Sequence, residues 1–287
     1  MNQNETIVNP MDEEQIHTPF VLERFKSKIL WDMASSHRHN CHELFFLLSG
    51  TRRYFIGHSI YNVKAGDLVI IPQNELHRTT AQTEEHYDRI LLYFQDSFAA
   101  PFYEAVGRPA FERFLNLGCV QLPFRQQERM RQLFSKMEEE QVRADDYAAL
   151  SISNLLTEII ILTLRYGSGR QKAPDGTGNK ILDAARYISD NYDREITLQT
   201  AAHIACMEAT YFSKCFKQLT GFGFRDYVTQ TRLKKAEELL RSSKLSISEI
   251  SDSCGFLSSN YFGDVFKKYK GISPRSYRKQ CQSKKGM

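Results

Sequence analysis

The sequence predicts an α+β protein, in which a small β-barrel with two following helices precedes an all-helical C-terminal half. Three observations support this prediction. Residues 20–95 contain short apolar runs separated by turn signals, residues 124–166 change to helical spacing, and every apolar run after residue 178 has a helical period. The 287 residues are enough for about two domains. The 41% hydrophobic and 25% charged residues are typical of a globular chain and exclude a disordered or collagen-like one.

Six short apolar runs in the N-terminal part are candidate β-strands. They cover residues 20–25, 44–48, 53–56, 59–63, 68–71 and 89–94. Many short strands separated by turn residues are typical of a small sandwich or barrel. Residues 124–142 and 145–166 instead have apolar residues at helical spacing, so two helices are expected to follow the barrel. One face of each helix must be buried against the barrel, a neighbouring element or a second subunit.

Composition also bears on the compartment of the protein. The polar N-terminus has no apolar signal segment, and no apolar run approaches the roughly 20 residues of a membrane span. The six cysteines form no C-x-x-C pair, so they are predicted to be free thiols. We therefore expect a cytoplasmic protein without a membrane partner.

A glycine-rich segment that begins at Gly167 is predicted to be a flexible linker. It gives a barrel domain at 16–166, a linker at 167–179 and a helical domain at 180–281.

The two halves of the chain differ in charge. Residues 1–170 contain 18 Lys+Arg and 22 Asp+Glu, a net charge of −4, whereas residues 171–287 contain 20 and 12, a net charge of +8. This division indicates an anionic partner for the C-terminal half, although a solvated cationic face would have the same composition.

The C-terminal half contains an internal repeat at an offset of 50 residues. Tyr211-Phe-Ser-Lys-Cys-Phe-Lys-Gln-Leu-Thr-Gly221 aligns with Tyr261-Phe-Gly-Asp-Val-Phe-Lys-Lys-Tyr-Lys-Gly271. The shared phenylalanines are four residues apart, so they lie on one face of a helix. The upstream segments 198–202 and 247–251 match at an offset of 49. Each copy is therefore predicted to be a short helix, a tight turn and a longer helix, which is the helix-turn-helix arrangement.

The longer helix of each copy leaves a polar face free to enter a DNA major groove. The preceding turns are predicted at Cys206-Met207-Glu208 and Cys254-Gly255-Phe256. The polar faces consist of Thr210, Ser213, Lys214 and Lys217 in the first copy and of Ser258, Ser259, Asn260, Gly263, Asp264 and Lys267 in the second. Two hairpins with matching cores and a basic excess favour double-stranded DNA as the partner over a plain helical bundle.

Residues 180–281 resemble the DNA-binding domain of the AraC/XylS family of transcription regulators. The segment Arg232-Leu-Lys-Lys-Ala-Glu-Glu-Leu-Leu240 is similar to the family's linker helix, and the pattern from Ile247 to Arg278 is similar to its signature. The resemblance implies the residues that read bases, which are Thr210, Ser213 and Lys214 in the first hairpin and Ser259, Asn260 and Gly263 in the second. Salt-dependent phosphate contacts are expected from Lys217, Arg225, Lys234, Lys267, Lys268 and Arg278.

Asp264 departs from the family pattern, which commonly has a basic or neutral residue at that position. A carboxylate there could accept a hydrogen bond from cytosine N4. Equally, it would repel phosphates and weaken the binding of the second hairpin. Both alternatives are compatible with the sequence.

The predicted barrel contains four potential metal ligands, His37, His39, Glu43 and His77. Alternate residues of a strand share a face, so the first three are expected to point the same way, and His77 joins them from a later strand. Three imidazoles and a carboxylate could coordinate a divalent metal.

The spacing of these residues resembles the two cupin motifs, with Asn74 in place of the usual glycine and Ala81 in place of the final asparagine. A cupin-like barrel is the usual sensor half beside an AraC-like half. The resemblance therefore implies a ligand pocket that needs no cofactor and is formed by His37, His39, Glu43, His77 and Tyr54. The rival interpretation is a metal-dependent cupin enzyme fused to a helical module, which the altered glycine and the tandem hairpins disfavour.

Together these features predict a transcription regulator controlled by a small-molecule effector such as a sugar, and no enzymatic activity. A homodimer through the helices at 125–166 and a contact with RNA polymerase are further expectations. A scaffold protein that uses the acidic helices is a third interpretation, and it predicts no salt-sensitive binding to duplex DNA.

Overall fold

The computed structural model describes residues 19–27, 38–81, 86–169 and 176–283. The chain forms two compact units, Met1–Ala173 and Pro174–Met287. The described part of the first unit combines antiparallel strands with helices, and that of the second contains helices and connecting turns. The α+β fold class is therefore confirmed.

The first unit contains two antiparallel sheets. Their strands are β1 (Phe20–Ser27), β2 (His42–Ser49), β3 (Thr51–Ile56), β4 (Ser59–Lys64), β5 (Asp67–Ile71), β6 (His77–Ala81), β7 (Tyr87–Phe94), β8 (Cys119–Gln121) and β9 (Ser168–Gly169). The larger sheet has the order β1-β7-β2-β5-β8-β9, and the smaller has the order β4-β3-β6. The rings of Phe45 on β2 and Tyr54 on β3 lie 4.9 Å apart, so the sheets pack face to face as the walls of a cupin-like barrel.

The central strand β2 buries both of its faces, because a different layer covers each one. Phe45 and Leu47 point between the two sheets, whereas Leu44 and Phe46 pack against helices on the outer side. A strand that is covered on both sides has a continuous apolar sequence, which explains the lack of alternation at 44–48. Alternate side chains share a face, and this places Glu43 on the same inner side as Phe45.

Helices cover the outer face of the larger sheet. They are a short 3-10 helix at Asp96–Ala99, α1 (Ala100–Val106), α2 (Arg108–Leu115), α3 (Phe124–Arg143) and α4 (Ala148–Tyr166). The sequence predicts α3 and α4 only, because Pro101, Gly107 and Pro109 divide the preceding segment into helices too short to show a period. The two predicted helices are confirmed as α3 and α4, and α1 and α2 are additional to them. Strand β6 is absent from the six predicted apolar runs because its sequence HRTTA contains none, although His77 is expected on a later strand.

Within the described residues, α4 is the one helix that is long and apolar enough to cross a membrane by length and composition. This differs from the expectation that no segment qualifies. Of the apolar stretch of α4, 44% is buried within the first unit. Ile152, Leu156 and Ile159 are buried in a core that also contains Leu133 and Phe134 of α3. These contacts are those of a core helix.

The segment 167–179, predicted to be a linker, has regular structure at both ends. Gly169 on β9 pairs with Val120 on β8, and helix α5 begins at Gly176. Helix α5 therefore begins before the predicted domain boundary at residue 180. Its buried face includes Ile181, Leu182 and Ala185, and the helical turn that precedes these residues continues the same helix. Residues 170–175 lie outside the described residues.

The second unit consists of two small helical cores connected by a long helix. Its helices are α5 (Gly176–Asp190), α6 (Leu198–Ile204), α7 (Ala209–Thr220), α8 (Phe224–Ser242), α9 (Ile247–Ser253), α10 (Ser259–Lys270) and α11 (Pro274–Ser283). In the first core, Phe212 and Phe216 of α7 pack against Phe224 at the start of α8. In the second core, Phe262 and Phe266 of α10 pack with Leu233 and Leu240, farther along α8. The repeat at an offset of 50 residues therefore produces two hairpins on a shared helix.

Candidate nucleic-acid interface and effector site

The turn of each hairpin depends on one residue in the left-handed conformation. These residues are Cys206 with φ 50° and Gly255 with φ 72°. Both residues lie in the predicted turns, and the structure aligns Cys206 with Gly255 at the offset of 49 that the upstream segments have. The backbone N–H of the next residue, Met207 or Phe256, then donates to the carbonyl of Ala202 or Ser251. The second copy therefore has its one extra residue after the turn, where the offset between the copies changes from 49 to 50.

Side-chain caps fix the start of both longer helices. At α7, the carboxylate of Glu208 accepts hydrogen bonds from the backbone N–H groups of Thr210 and Tyr211 at 2.8 and 3.0 Å. These bonds hold the pKa of Glu208 below its usual value. At α10, the hydroxyl of Ser258 accepts from the N–H of Tyr261 at 3.2 Å. Ser258, predicted to contact DNA, therefore caps the helix that presents the other predicted residues.

The predicted DNA-binding residues lie on the solvent-facing sides of α7 and α10. The exposed ones are Thr210, Lys214, Lys217, Ser258, Asn260 and Lys267, and the half-buried ones are Ser213, Ser259 and Gly263. With 100° per residue, positions i, i+4 and i+7 form one stripe along a helix. Thr210, Lys214 and Lys217 form such a stripe on α7, opposite its buried phenylalanines. The stripe on α10 consists of Asn260, Asp264 and Lys267.

Three exposed apolar side chains beside these stripes were not among the predicted site residues. Tyr211 and Tyr261 occupy equivalent positions and are 55% and 50% exposed. Leu257, which directly precedes the cap of α10, is 94% exposed. The repeated Tyr-Phe pair could have revealed the tyrosines, because adjacent residues of a helix cannot both face the core. No sequence signal distinguishes Leu257 from a core leucine.

Two cations of the second unit link α8 to neighbouring segments. Arg232 donates to the carbonyl oxygens of Tyr192 and Arg194, both at 2.8 Å. Lys270, at the end of α10, forms an ion pair of 2.8 Å with the buried carboxylate of Glu237 on α8. Of the cations expected to contact phosphates, Lys217, Arg225, Lys267 and Lys268 are exposed, and Lys234 and Arg278 are half-buried.

Inside the barrel, a buried carboxylate links two histidines from different parts of the chain. One oxygen of Glu43 lies 3.0 Å from Nε2 of His39 and 3.5 Å from Nε2 of His77. The other ring nitrogens, both Nδ1, lie 2.9 Å from the carbonyl oxygens of Cys41 and Glu75. Burial alone would raise the pKa of Glu43, but the hydrogen bonds with the two histidines outweigh burial and hold it below its usual value. His37 lies outside the described residues.

The potential ligand atoms of His39, Glu43 and His77 all lie within 4.8 Å of one another. Two imidazoles and one carboxylate match the donor types that zinc and other divalent transition metals accept. Because both Nδ1 atoms face carbonyl oxygens, each Nε2 can donate to Glu43 only when its ring is protonated. Neutral rings would instead offer their Nε2 lone pairs to a metal beside the carboxylate, so the geometry fits either arrangement.

Aromatic and cationic side chains surround this group. The ring of Tyr93 meets that of His39 edge-on at 5.3 Å, and burial followed by the Glu43 charge raises the pKa of Tyr54 and of Tyr93 well above the usual value. Both hydroxyls are therefore uncharged at neutral pH. Arg52 is buried over the ring of Tyr87 at 4.6 Å, and its Nε donates to the Thr79 hydroxyl at 3.2 Å. A barrel interior with polar groups set among rings is typical of a small-molecule site.

A barrel with a polar interior, followed by two helix-turn-helix hairpins with exposed polar stripes, defines a ligand-responsive regulator that binds DNA. Residues 25–160 match the family model described as an AraC-like ligand binding domain, and residues 201–280 match the one described as a helix-turn-helix domain. The two matches together span most of the chain. The protein belongs to the AraC family of transcription regulators.

Similar proteins include both partial and nearly full-length matches. The uncharacterised HTH-type transcriptional regulator YijO of Escherichia coli K12 is 33% identical over 116 residues, which are 40% of this chain and 41% of that protein. The arabinose operon regulatory protein of the same strain is 25% identical over 224 residues, 77% of this chain and 74% of that protein. The structure of ToxT from Vibrio cholerae covers 91% of this chain and 98% of its own, with 16% identity and a TM-score of 0.38.

Proposed function

We propose that the two hairpins bind one duplex, with α7 and α10 in major-groove segments about 10 bp apart, which is one helical turn. Thr210, Ser213 and Lys214 would read bases from α7, and Ser259, Asn260 and Gly263 from α10. Lys217 and Lys267 would contact the groove edges. The observation that carries this proposal is that both helices expose a polar stripe at equivalent positions while their paired phenylalanines are buried.

Selection of bound fragments from random duplex DNA, followed by binding titrations, tests this proposal. We expect a selected sequence with two conserved segments and an affinity that falls with salt. Lys217→Ala should reduce the slope of log K against log salt by about 1, because one phosphate contact is lost. Lys180→Ala removes an exposed lysine of α5 and serves as the matched control. Binding that is independent of both sequence and salt would refute the proposal.

We further propose that the barrel binds a small sugar-like effector through His39, Glu43, His77 and Tyr54, with His37 as a further candidate. Buried hydrogen-bonding groups beside aromatic rings support this choice, because hydroxyl-rich ligands need both. The name of the arabinose operon regulatory protein connects one relative with a sugar operon. Calorimetry with a panel of sugars and sugar acids should find a ligand whose binding is weakened by Tyr54→Phe. Tyr103→Phe, a change on α1, should leave it unchanged.

The barrel is proposed to sense its ligand without catalysis and without a resident metal. The contacts of Glu43 with Nε2 of His39 at 3.0 Å and with Nε2 of His77 at 3.5 Å support this view, because protonated imidazoles would satisfy the buried carboxylate without an ion. Elemental analysis of purified protein should find no stoichiometric metal. A stoichiometric metal that disappears in the double variant His39→Ala, His77→Ala would contradict this part of the proposal and favour the cupin-type centre.

A homodimer through α3 and α4, acting in the cytoplasm and contacting RNA polymerase, completes the proposal. Apolar side chains exposed at the connection between the two helices support the dimer, since Tyr147 and Leu150 are 75% and 60% exposed. Leu150→Glu should yield monomers in sedimentation equilibrium, whereas Val106→Glu on α1 should not. Effector binding would then shift the population between states with different DNA affinity. Equal DNA affinity with and without the effector would refute that coupling.

A further inference from the structure

We propose that Asp264 selects a cytosine in the duplex segment that α10 reads, so that the two hairpins have opposite base preferences. This inference rests on the proposed binding of both hairpins to one duplex. It concerns the position where the repeats differ most in charge, because Asp264 is the counterpart of Lys214 at the offset of 50 residues.

The position of Asp264 on α10 places it toward the floor of the groove. Asn260, Asp264 and Lys267 follow one another at spacings of four and three residues, on the side of the helix opposite the buried Phe262 and Phe266. A helix that enters the groove with its phenylalanines against the protein presents this stripe to the base edges. The cations at 267 and 268 occupy the next turn, nearer to the phosphates.

The helix surface next to Asp264 permits a close approach of the DNA. Gly263 has no side chain, and nothing lies within 4 Å of the place that a Cβ would occupy there. Aspartate is one of the shortest side chains that can accept a hydrogen bond, so it reaches a base only if the backbone comes close. The glycine beside it provides that approach.

No structural role in the helix accounts for Asp264. It lies in the middle of α10, beyond the first turn where a carboxylate caps or stabilises a helix, and aspartate is unfavourable in helix interiors. Within the described part of the chain, its exposed carboxylate has no hydrogen bond and no ion pair, although Lys267 and Lys268 are three and four residues away. Both of its oxygens are thus available to an external donor.

Cytosine is the base that such an acceptor recognises in the major groove. The exposed edge of cytosine offers the N4 amino donor, whereas guanine offers the N7 and O6 acceptors, which a carboxylate repels. Lys214, at the equivalent position of α7, has the opposite preference, because lysine donates to guanine. Since the same strand would need different bases at the two equivalent positions, the operator is asymmetric and fixes the orientation of the protein on it.

Competition binding with the full chain tests this inference, using duplexes that carry each of the four bases at every position of the selected site. At one position of the second segment, we expect the wild type to prefer cytosine by about 5- to 150-fold, which corresponds to 1–3 kcal/mol. Asp264→Ala should reduce that preference to near unity and leave the first segment unchanged. Asp252→Ala is the matched control, because it removes an exposed acidic side chain of the same hairpin outside the reading helix.

The outcomes separate this inference from the proposal on which it rests. If Asp264→Ala raises the affinity for all sequences equally, as Asp252→Ala should, the carboxylate only repels phosphates and the inference is overturned. If Lys214→Ala alters the first segment while Asp264→Ala alters no base preference, the inference alone fails. A wild type without any sequence preference would overturn both.

Discussion

Replacing Gly255 with alanine should destabilise the second hairpin far more than replacing Gly271. Both glycines have φ 72°, and this conformation costs an alanine about 1–2 kcal/mol. At Gly271 nothing lies within 4 Å of an added Cβ, so no further penalty is expected. At Gly255 the added Cβ would lie 2.8 Å from the carbonyl oxygens of Tyr192 and Asp193. Because Arg232 donates to the first of these oxygens, a displaced backbone would also disturb that hydrogen bond.

Backbone displacement around an overpacked site costs about 1–3 kcal/mol. The sum predicts a loss of about 2–5 kcal/mol for Gly255→Ala, against about 1–2 kcal/mol for Gly271→Ala. Hydrogen exchange of the full chain, measured on the amides of α9 and α10, reports the local opening free energy without assuming two-state unfolding. The amides of α6 and α7 provide the internal reference. Equal losses for the two variants would refute the steric part of this reasoning.

Three further results are expected. Cys206→Gly should stabilise the first hairpin by about 1 kcal/mol in hydrogen exchange, because Cys206 has a left-handed conformation that glycine adopts without strain; a loss of protection in α6 and α7 would contradict it. Lys214→Ala should weaken specific DNA binding by about 1–3 kcal/mol and relax the base preference in titrations, and an unchanged preference would remove Lys214 from the reading set. Because the fold lowers the pKa of Glu43, its ionised carboxylate stabilises the folded state. This stabilisation is complete at pH values above the usual pKa of 4.5 and is lost as the pH falls below that value. Acid unfolding followed by circular dichroism should therefore be less steep for Glu43→Gln than for the wild type.

The sequence predicts the second unit well because the helix-turn-helix pattern occurs twice in the chain. Phe212 and Phe262 recur with the same neighbours, and a repeat is detectable without knowledge of long-range contacts. The sequence does not identify which residue of each predicted turn has the left-handed conformation. Both turns contain a cysteine, but the left-handed residue is Cys206 in one and Gly255 in the other. The packing of the two helices, which the sequence does not specify, sets this backbone conformation.

The first unit is less predictable because tertiary contacts determine several of its elements. Helix α2 is stabilised by the burial of Phe111 and Phe114 against the sheet and α4, which eight residues of sequence do not reveal. Strand β6 is polar, and its register with β3 is what brings His77 into the barrel. The histidines and Glu43 could be named from their spacing alone. Their mutual distances depend on a fold that the spacing does not specify.

The most direct test of the account is a hydroxyl-radical footprint of the full chain on its selected duplex, compared among the wild type, Lys214→Ala and Asn260→Ala. Two protected patches are expected on one face of the duplex, with centres about 10 bp apart. Each variant should weaken a different patch and leave the other in place. A single patch, or a pair of patches that both variants weaken equally, would contradict the claim that α7 and α10 occupy separate groove segments.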